Sequence, residues 1–270
     1  MARKLRIEFP DAVYHVINRG NYRRDLFTNS GEAGAFLSAL EEAVETFGWR
    51  LHAYAIMRNH YHLAVRTPQP NLGDGMHWLQ STFATRFNRF RSERGHLFQG
   101  RYQALLVEDE AALARLVNYI HLNPVRAKIV TPEQVAAFRW SSLGRFVRGP
   151  RLPTMDAAPW LRALGYSDTP KGWQTYLTSL RQLATDDTEQ ERQGFPTMSR
   201  GWAIGTHSWR KAIARDHSHL ALHPGLGAEE ARQFREVAWE EQLHAQLRKS
   251  RRTLADAAAV YSVTTLQENG

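Results

Sequence analysis

An α+β fold is predicted by three observations: four short runs rich in β-branched and aromatic residues, two amphipathic helical patterns set among them, and no strand signal beyond about residue 142. The order of these patterns is β-α-β-β-α-β followed by a helix. That is the ferredoxin-like, split βαβ arrangement, an antiparallel sheet with two helices on one face and the other face free for a site.

The first strand is expected over residues 12–18, "AVYHVIN", and stops at the turn-forming "NRGN". Phe36, Leu37, Leu40, Val44 and Phe47 then recur at helical spacing, with Glu41, Glu42 and Glu45 on the opposite side. Residues 51–57 and 60–66 are two strand-like runs split by "RN", the pattern of a tight hairpin. After Pro68, Pro70 and Gly73, the residues Met76, Leu79, Phe83, Phe87 and Phe90 mark a second helix whose phenylalanine row is expected in the core. The run "RYQALLVE" (101–108) is the fourth strand. The helix after it has Leu113, Leu116, Val117 and Ile120 on its inner face and is expected to stop at Asn123, because a proline disfavours helical backbone in the residue before it.

A domain of residues 1–145 is therefore expected, then the connector "RGPRLPTMDAAPW" and a mainly helical region over 150–270. Helical patterns lie around "GWQTYLTSLRQL", "HSWRKAIARDH" and "EEARQFREVAWEEQLHAQLRKS", and the polar end "TTLQENG" reads as a flexible tail. The run "RKSRR" (248–252) reads as a solvated helix end or as a basic arm for DNA.

Composition narrows the chemistry. The chain has 270 residues, a net charge of +8 and no cysteine, which excludes disulfides, thiolate metal sites and cysteine nucleophiles. Its only lysines are Lys4, Lys128, Lys171, Lys211 and Lys249, so the positive charge is mostly arginine, whose planar fork suits phosphate. No stretch reaches the ~18 apolar residues that a membrane helix needs, and the first residues do not resemble a signal sequence. A cytoplasmic protein with no membrane partner is expected.

The stretch "IMRNHYHLAV" (56–65) places two histidines two residues apart on a strand. His60 and His62 then share one face of the sheet, with Tyr61 on the other, and can grip one ion. On the helix after the fourth strand, Tyr119 and Asn123 lie one turn apart on the flank of the apolar face. A phenol is a poor nucleophile near neutral pH unless a metal polarises its electrophile. Taken together, His60, His62 and the amide oxygen of Asn123 would hold a divalent cation, and with no thiolate available Mg²⁺ or Mn²⁺ is the better match. Tyr119 would attack a scissile phosphate in line, giving a phosphotyrosine that can be resealed without ATP. Such a protein cuts and rejoins DNA. Arg19, Arg58, Arg101 and Arg126 flank these motifs and read either as phosphate clamps or as ordinary surface charge, and His121 as structural or DNA-facing.

Four segments in order, "YHVINRG" (14–20), "MRNHYHL" (57–63), "GHLFQGRY" (95–102) and "NYIHLNPVRA" (118–127), resemble the IS200-like single-tyrosine (Y1) HUH transposases. Within that family they are most similar to the REP-associated branch. The resemblance covers about the first 145 residues. It implies a Mg²⁺- or Mn²⁺-dependent nuclease and strand transferase that acts on single-stranded DNA near hairpins and palindromic repeats through a 5′-phosphotyrosine. It assigns the metal ligands to His60, His62 and Asn123 and the nucleophile to Tyr119, in a nucleoid-associated protein with a monomer favoured over a homodimer. Tyr61 is bulkier than the aliphatic residue usual between the two histidines. The "SRGWAIG" run (199–205) is a looser shared feature. A catalytically silent DNA-binding regulator of the same fold is the alternative function, and a hydrolase of small phosphoesters a third.

Overall fold

A computed structural model of the chain describes residues 7–217 and a few positions between 232 and 250. Strands β1 (Ala12–Arg19), β2 (Arg50–Ile56), β3 (His60–Thr67) and β4 (Gln103–Val107) alternate with helices α1 (Ser30–Thr46) and α2 (Leu72–Arg91), and α3 (Glu110–Arg126) follows. The strand order β2-β3-β1-β4 is the arrangement the sequence patterns predict, and all three of these pairings are antiparallel.

Each helix start has a local cause. The side chain of Asn29 accepts from the backbone N–H groups of Gly31 and Glu32, and Glu32 reaches back to the Asn29 N–H, a reciprocal cap that nucleates α1. Asp109 caps α3 by accepting from the Ala112 N–H at 2.7 Å. α1 and α2 cover the sheet face that carries Tyr61, whose ring lies 4.5 Å from that of Phe36 and whose hydroxyl accepts from Gln80 at 2.9 Å.

The α2 helix also packs closely on Trp49, which is fully buried and donates from its indole N–H to Asn71. A methyl group at Gly75 would lie 2.1 Å from Cζ2 of Trp49. Gly75→Ala is therefore expected to lower stability by about 1–3 kcal/mol, read as a reduced urea midpoint at unchanged slope.

Three sequence expectations change. Phe83 and Phe87 are buried, but Phe90 is 70% exposed. The inward stripe of α2 ends at Phe87, and in the last turn Arg91 reaches inward to buried Glu32 while Phe90 emerges. Helix α3 runs through Pro124 to Arg126 instead of stopping at Asn123. Pro124 has no N–H to donate, yet the turn is closed beyond it by the Ala127 N–H on the Asn123 carbonyl at 2.9 Å and the Lys128 N–H on Val125 at 2.8 Å. Lastly, a fifth strand, β5 (Ala203–Ile204), pairs parallel with β4. Two residues are too few to show a period.

Helix α3 lies on the second face of the sheet, against β2 and β3, and is backed by α4 (Ser142–Arg148), α5 (Ala158–Ala163) and α6 (Pro170–Ala184). Phe146, Trp160, Trp173 and Tyr176 form an aromatic cluster behind α3, with Phe146 and Trp173 stacked at 5.4 Å. His121 on α3 is fully buried there, with Nδ1 2.8 Å from the Tyr176 hydroxyl and Nε2 2.9 Å from the Ser142 hydroxyl. It is a structural residue.

A short helix α7 (Asp187–Arg192) leads to a 3₁₀ turn at Phe195–Thr197 and then to β5. The compact unit that holds the sheet ends at Gly205, and a second unit begins at Thr206. That second unit contains helix α8 (His207–Asp216), whose first turn is capped by the Thr206 hydroxyl on the Trp209 N–H. The outer sides of both β2 and β4 are paired. On β4, Leu106 and Glu108 donate to the carbonyls of Trp202 and Ile204. On β2, Leu51 exchanges backbone bonds with Thr154 and Asp156, and Ile56 donates to Trp140. The run 248–252 and the helical pattern before it lie mostly outside the described residues, and the tail wholly so. No described helix is long and apolar enough to cross a membrane.

Candidate active site

The alternation of an antiparallel pair decides what shares the face beneath α3. β1 and β3 pair with Ile17 opposite His62 and Arg19 opposite His60, so these four side chains and His15 project from one side of the sheet. The His60 and His62 rings lie 5.0 Å apart, nearly perpendicular. Tyr119 comes down from α3 with its ring edge-on to His62 at 5.6 Å, and its hydroxyl is 2.8 Å from that of Ser199. The two imidazoles and the phenol, 59 and 57 residues apart in sequence, meet beneath α3.

Burial fixes the charge of the histidines. Desolvation, with Arg19 nearby, lowers the pKa of His60 to about 4, and burial lowers that of His15 to about 4 despite its bond to a backbone carbonyl. His62 is pushed well below the usual histidine range by burial first, then by His15, His60, Arg126 and Arg19. All three are neutral at physiological pH, the state in which an imidazole is a ligand. His60 Nδ1 lies 2.8 Å from the side-chain oxygen of Asn59, whose amide nitrogen donates to the Arg23 carbonyl at 3.2 Å. The proton of His60 is thus on Nδ1, and the Nε2 lone pair is free.

Depressed native pKa values have a consequence for stability. The unfolded chain takes up protons at its histidines below about 6.5, whereas buried His15 and His121 and half-buried His60 resist protonation until about 4, about 3 and about 4. Their contribution is complete above pH 6.5 and is lost as pH falls through the native values. In metal-free buffer the denaturation midpoint is expected to hold level above pH 6.5 and to fall steadily from there towards pH 4. An acid-stable midpoint across that window would contradict the burial of neutral imidazoles.

The remaining predicted residues divide. Asn123 sits one turn past Tyr119, buried, and its amide nitrogen has no hydrogen-bond partner. Arg126 lays its guanidinium over the Tyr119 ring at 5.0 Å and over Phe195 at 5.4 Å, on the edge of the histidine pocket. Arg19 stands exposed across from His60. Arg58 is paired with Asp25 at the surface, and Arg101 is exposed in the loop before β4.

Three contributors went unpredicted. His15 lies 2.9 Å from His62, nitrogen to nitrogen, with its other nitrogen 2.8 Å from the Met198 carbonyl, while Ser199 and Phe195 face Tyr119. The "YHVINRG" and "SRGWAIG" runs contain His15 and Ser199, and neither contains Phe195.

Among the described residues no set of three or more His, Cys, Asp or Glu side chains forms a ready cage for an ion. The side chains that would serve an ion are the two neutral, adjacent imidazoles of His60 and His62, with the side-chain oxygen of buried Asn123 as the third donor.

No curated protein matches the chain. Among solved structures it is similar to a REP-associated tyrosine transposase bound to a REP hairpin, at 18% identity and a TM-score of 0.46 over 58% of this chain and 93% of that one. It is also similar to a candidate transposase from Deinococcus radiodurans R1, at 22% identity and a TM-score of 0.32 over 47% of this chain and 92% of the other. The family model described as IS200-like transposase matches residues 8–123. That segment carries β1, the histidine pair and Tyr119, and over it the chain is similar to the IS200-like transposases.

Proposed function

We propose that the protein is a divalent-metal-dependent endonuclease and strand transferase for single-stranded DNA, acting beside hairpins of palindromic repeats through a 5′-phosphotyrosine. The observation that carries this reading is the phenol of Tyr119 held edge-on to His62, with His60 adjacent on the same sheet face. His60, His62 and the amide of Asn123 would hold Mg²⁺ or Mn²⁺. When bound, the ion supplies positive charge at the scissile phosphate, lowering the barrier to attack by a weak nucleophile.

The chain's own residues account for the rest. Tyr119 is fixed by its ring contacts with His15, His62 and Phe195 and by its bond to Ser199, so its oxygen has little freedom to lose on reaction. Arg126 and Arg19 offer positive charge to the phosphate oxygens from two sides. As the Tyr119 oxygen bonds to phosphorus and loses its proton, the bond from phosphorus to the 3′ oxygen breaks and that oxygen leaves as a hydroxyl. One phosphoester replaces another, so a second 3′ hydroxyl can reverse the step. A monomer is proposed as the working unit.

The test is incubation with labelled single-stranded hairpin DNA and Mn²⁺, followed by a denaturing gel. A retarded protein–DNA band is expected. Binding without cleavage would make the protein a regulator, and cleavage without a covalent band would make it a hydrolase.

A further inference from the structure

We infer that His15 is a positioning residue that fixes the tautomer of His62 and so presents the Nε2 lone pair of His62 to the metal. The inference rests on the reading of His60 and His62 as metal ligands, and it follows from hydrogen-bond donors and acceptors alone.

A backbone carbonyl only accepts. Nδ1 of His15, 2.8 Å from the Met198 carbonyl oxygen, must therefore carry the proton. In a neutral imidazole the other nitrogen is then an acceptor, so His15 Nε2 presents a lone pair to Nδ1 of His62 at 2.9 Å. Nδ1 of His62 must in turn be the protonated nitrogen, and its Nε2 is left bare. The direction of the whole chain is set at Met198, far from the strand pair in sequence. Both histidines of the 60–62 pair reach the same state by separate routes, His60 through Asn59 and His62 through His15.

Geometry also tells against His15 as a third ligand. Its two nitrogens are both spent, and its ring lies edge to edge with that of His62, the planes 25° apart and the centroids 5.1 Å apart. Its work is done through its neighbour, as hydrogen-bond partners behind metal-bound histidines do.

Two measurements test this. In the metal-free protein labelled with ¹⁵N-histidine, with His62 assigned from the spectrum of His62→Gln, the His62 signals are expected to show Nδ1 protonated and Nε2 bare. The opposite tautomer, or an even mixture, would overturn the inference without any need for metal or DNA. Second, His15→Leu removes the acceptor, whereas the amide oxygen of His15→Gln can replace it. Mn²⁺ titrated calorimetrically is expected to bind about 10- to 100-fold more weakly to His15→Leu, with His62 drifting to mixed tautomers, and close to normally to His15→Gln.

Equal Mn²⁺ affinity in a folded His15→Leu protein would overturn the proposal. So would equal weakening in both variants, since that is what loss of packing alone produces. If His15→Leu does not fold, the wild-type tautomer decides. Failure of the wild-type protein to form a covalent band with DNA would instead count against the function above and leave the tautomer result standing.

Discussion

Tyr119→Phe is expected to abolish the covalent protein–DNA band, a fall of at least about 10³-fold, while binding of the same hairpin stays within about twofold. The substitution removes one oxygen. The ring keeps its contacts with His15, His62 and Phe195 and its place under Arg126, and the hydrogen bond lost to Ser199 costs about 1 kcal/mol. The fold is thereby preserved while the attacking atom is gone. A covalent band persisting in the phenylalanine variant would show that another group is the nucleophile, and loss of binding together with the band would place Tyr119 in recognition instead.

Alanine at His60 or at His62 is expected to remove cleavage by about 10³-fold and the stimulation by Mn²⁺ with it, because the ion's share of the barrier is several kcal/mol. The two positions should differ in stability. His62 is 3% exposed and bonded to His15, so its removal leaves a hole and an unmet acceptor on His15. His60 is only half-buried, and His60→Ala should melt closer to the parent. Cutting that still responds to Mn²⁺ in either variant would sink the ligand assignment. Thermal melts alongside the assays separate lost chemistry from lost fold.

The legible parts of this molecule are those that repeat within a few residues. Alternation in 51–57 and 60–66 gave the hairpin, and the three-to-four spacing of Met76, Leu79, Phe83 and Phe87 gave α2. The histidine pair and Tyr119 were legible because strand and helix periods fix where side chains project.

What escaped depends on contacts between distant segments. His15 is one histidine in a strand, and nothing near it announces that the register sets it beside His62 or that Met198 lies 183 residues away in the chain. Ser199 meets Tyr119 across 80 residues. Pro124 illustrates the opposite error. A local rule ended the helix there, but packing against α5 and α6 and the bonds closed beyond the proline carried it one turn further.

The paired margins of the sheet bear on assembly. Strand rims with open N–H and C=O groups are where one copy of a protein adds to another, and here the second half of the chain occupies the rims of β2 and β4 with its own backbone. A continuous sheet shared between two copies would first have to peel away residues 140, 154–156 or 202–204. Addition of a second copy along the outer side of β2 or β4 would therefore displace backbone bonds that this chain already makes.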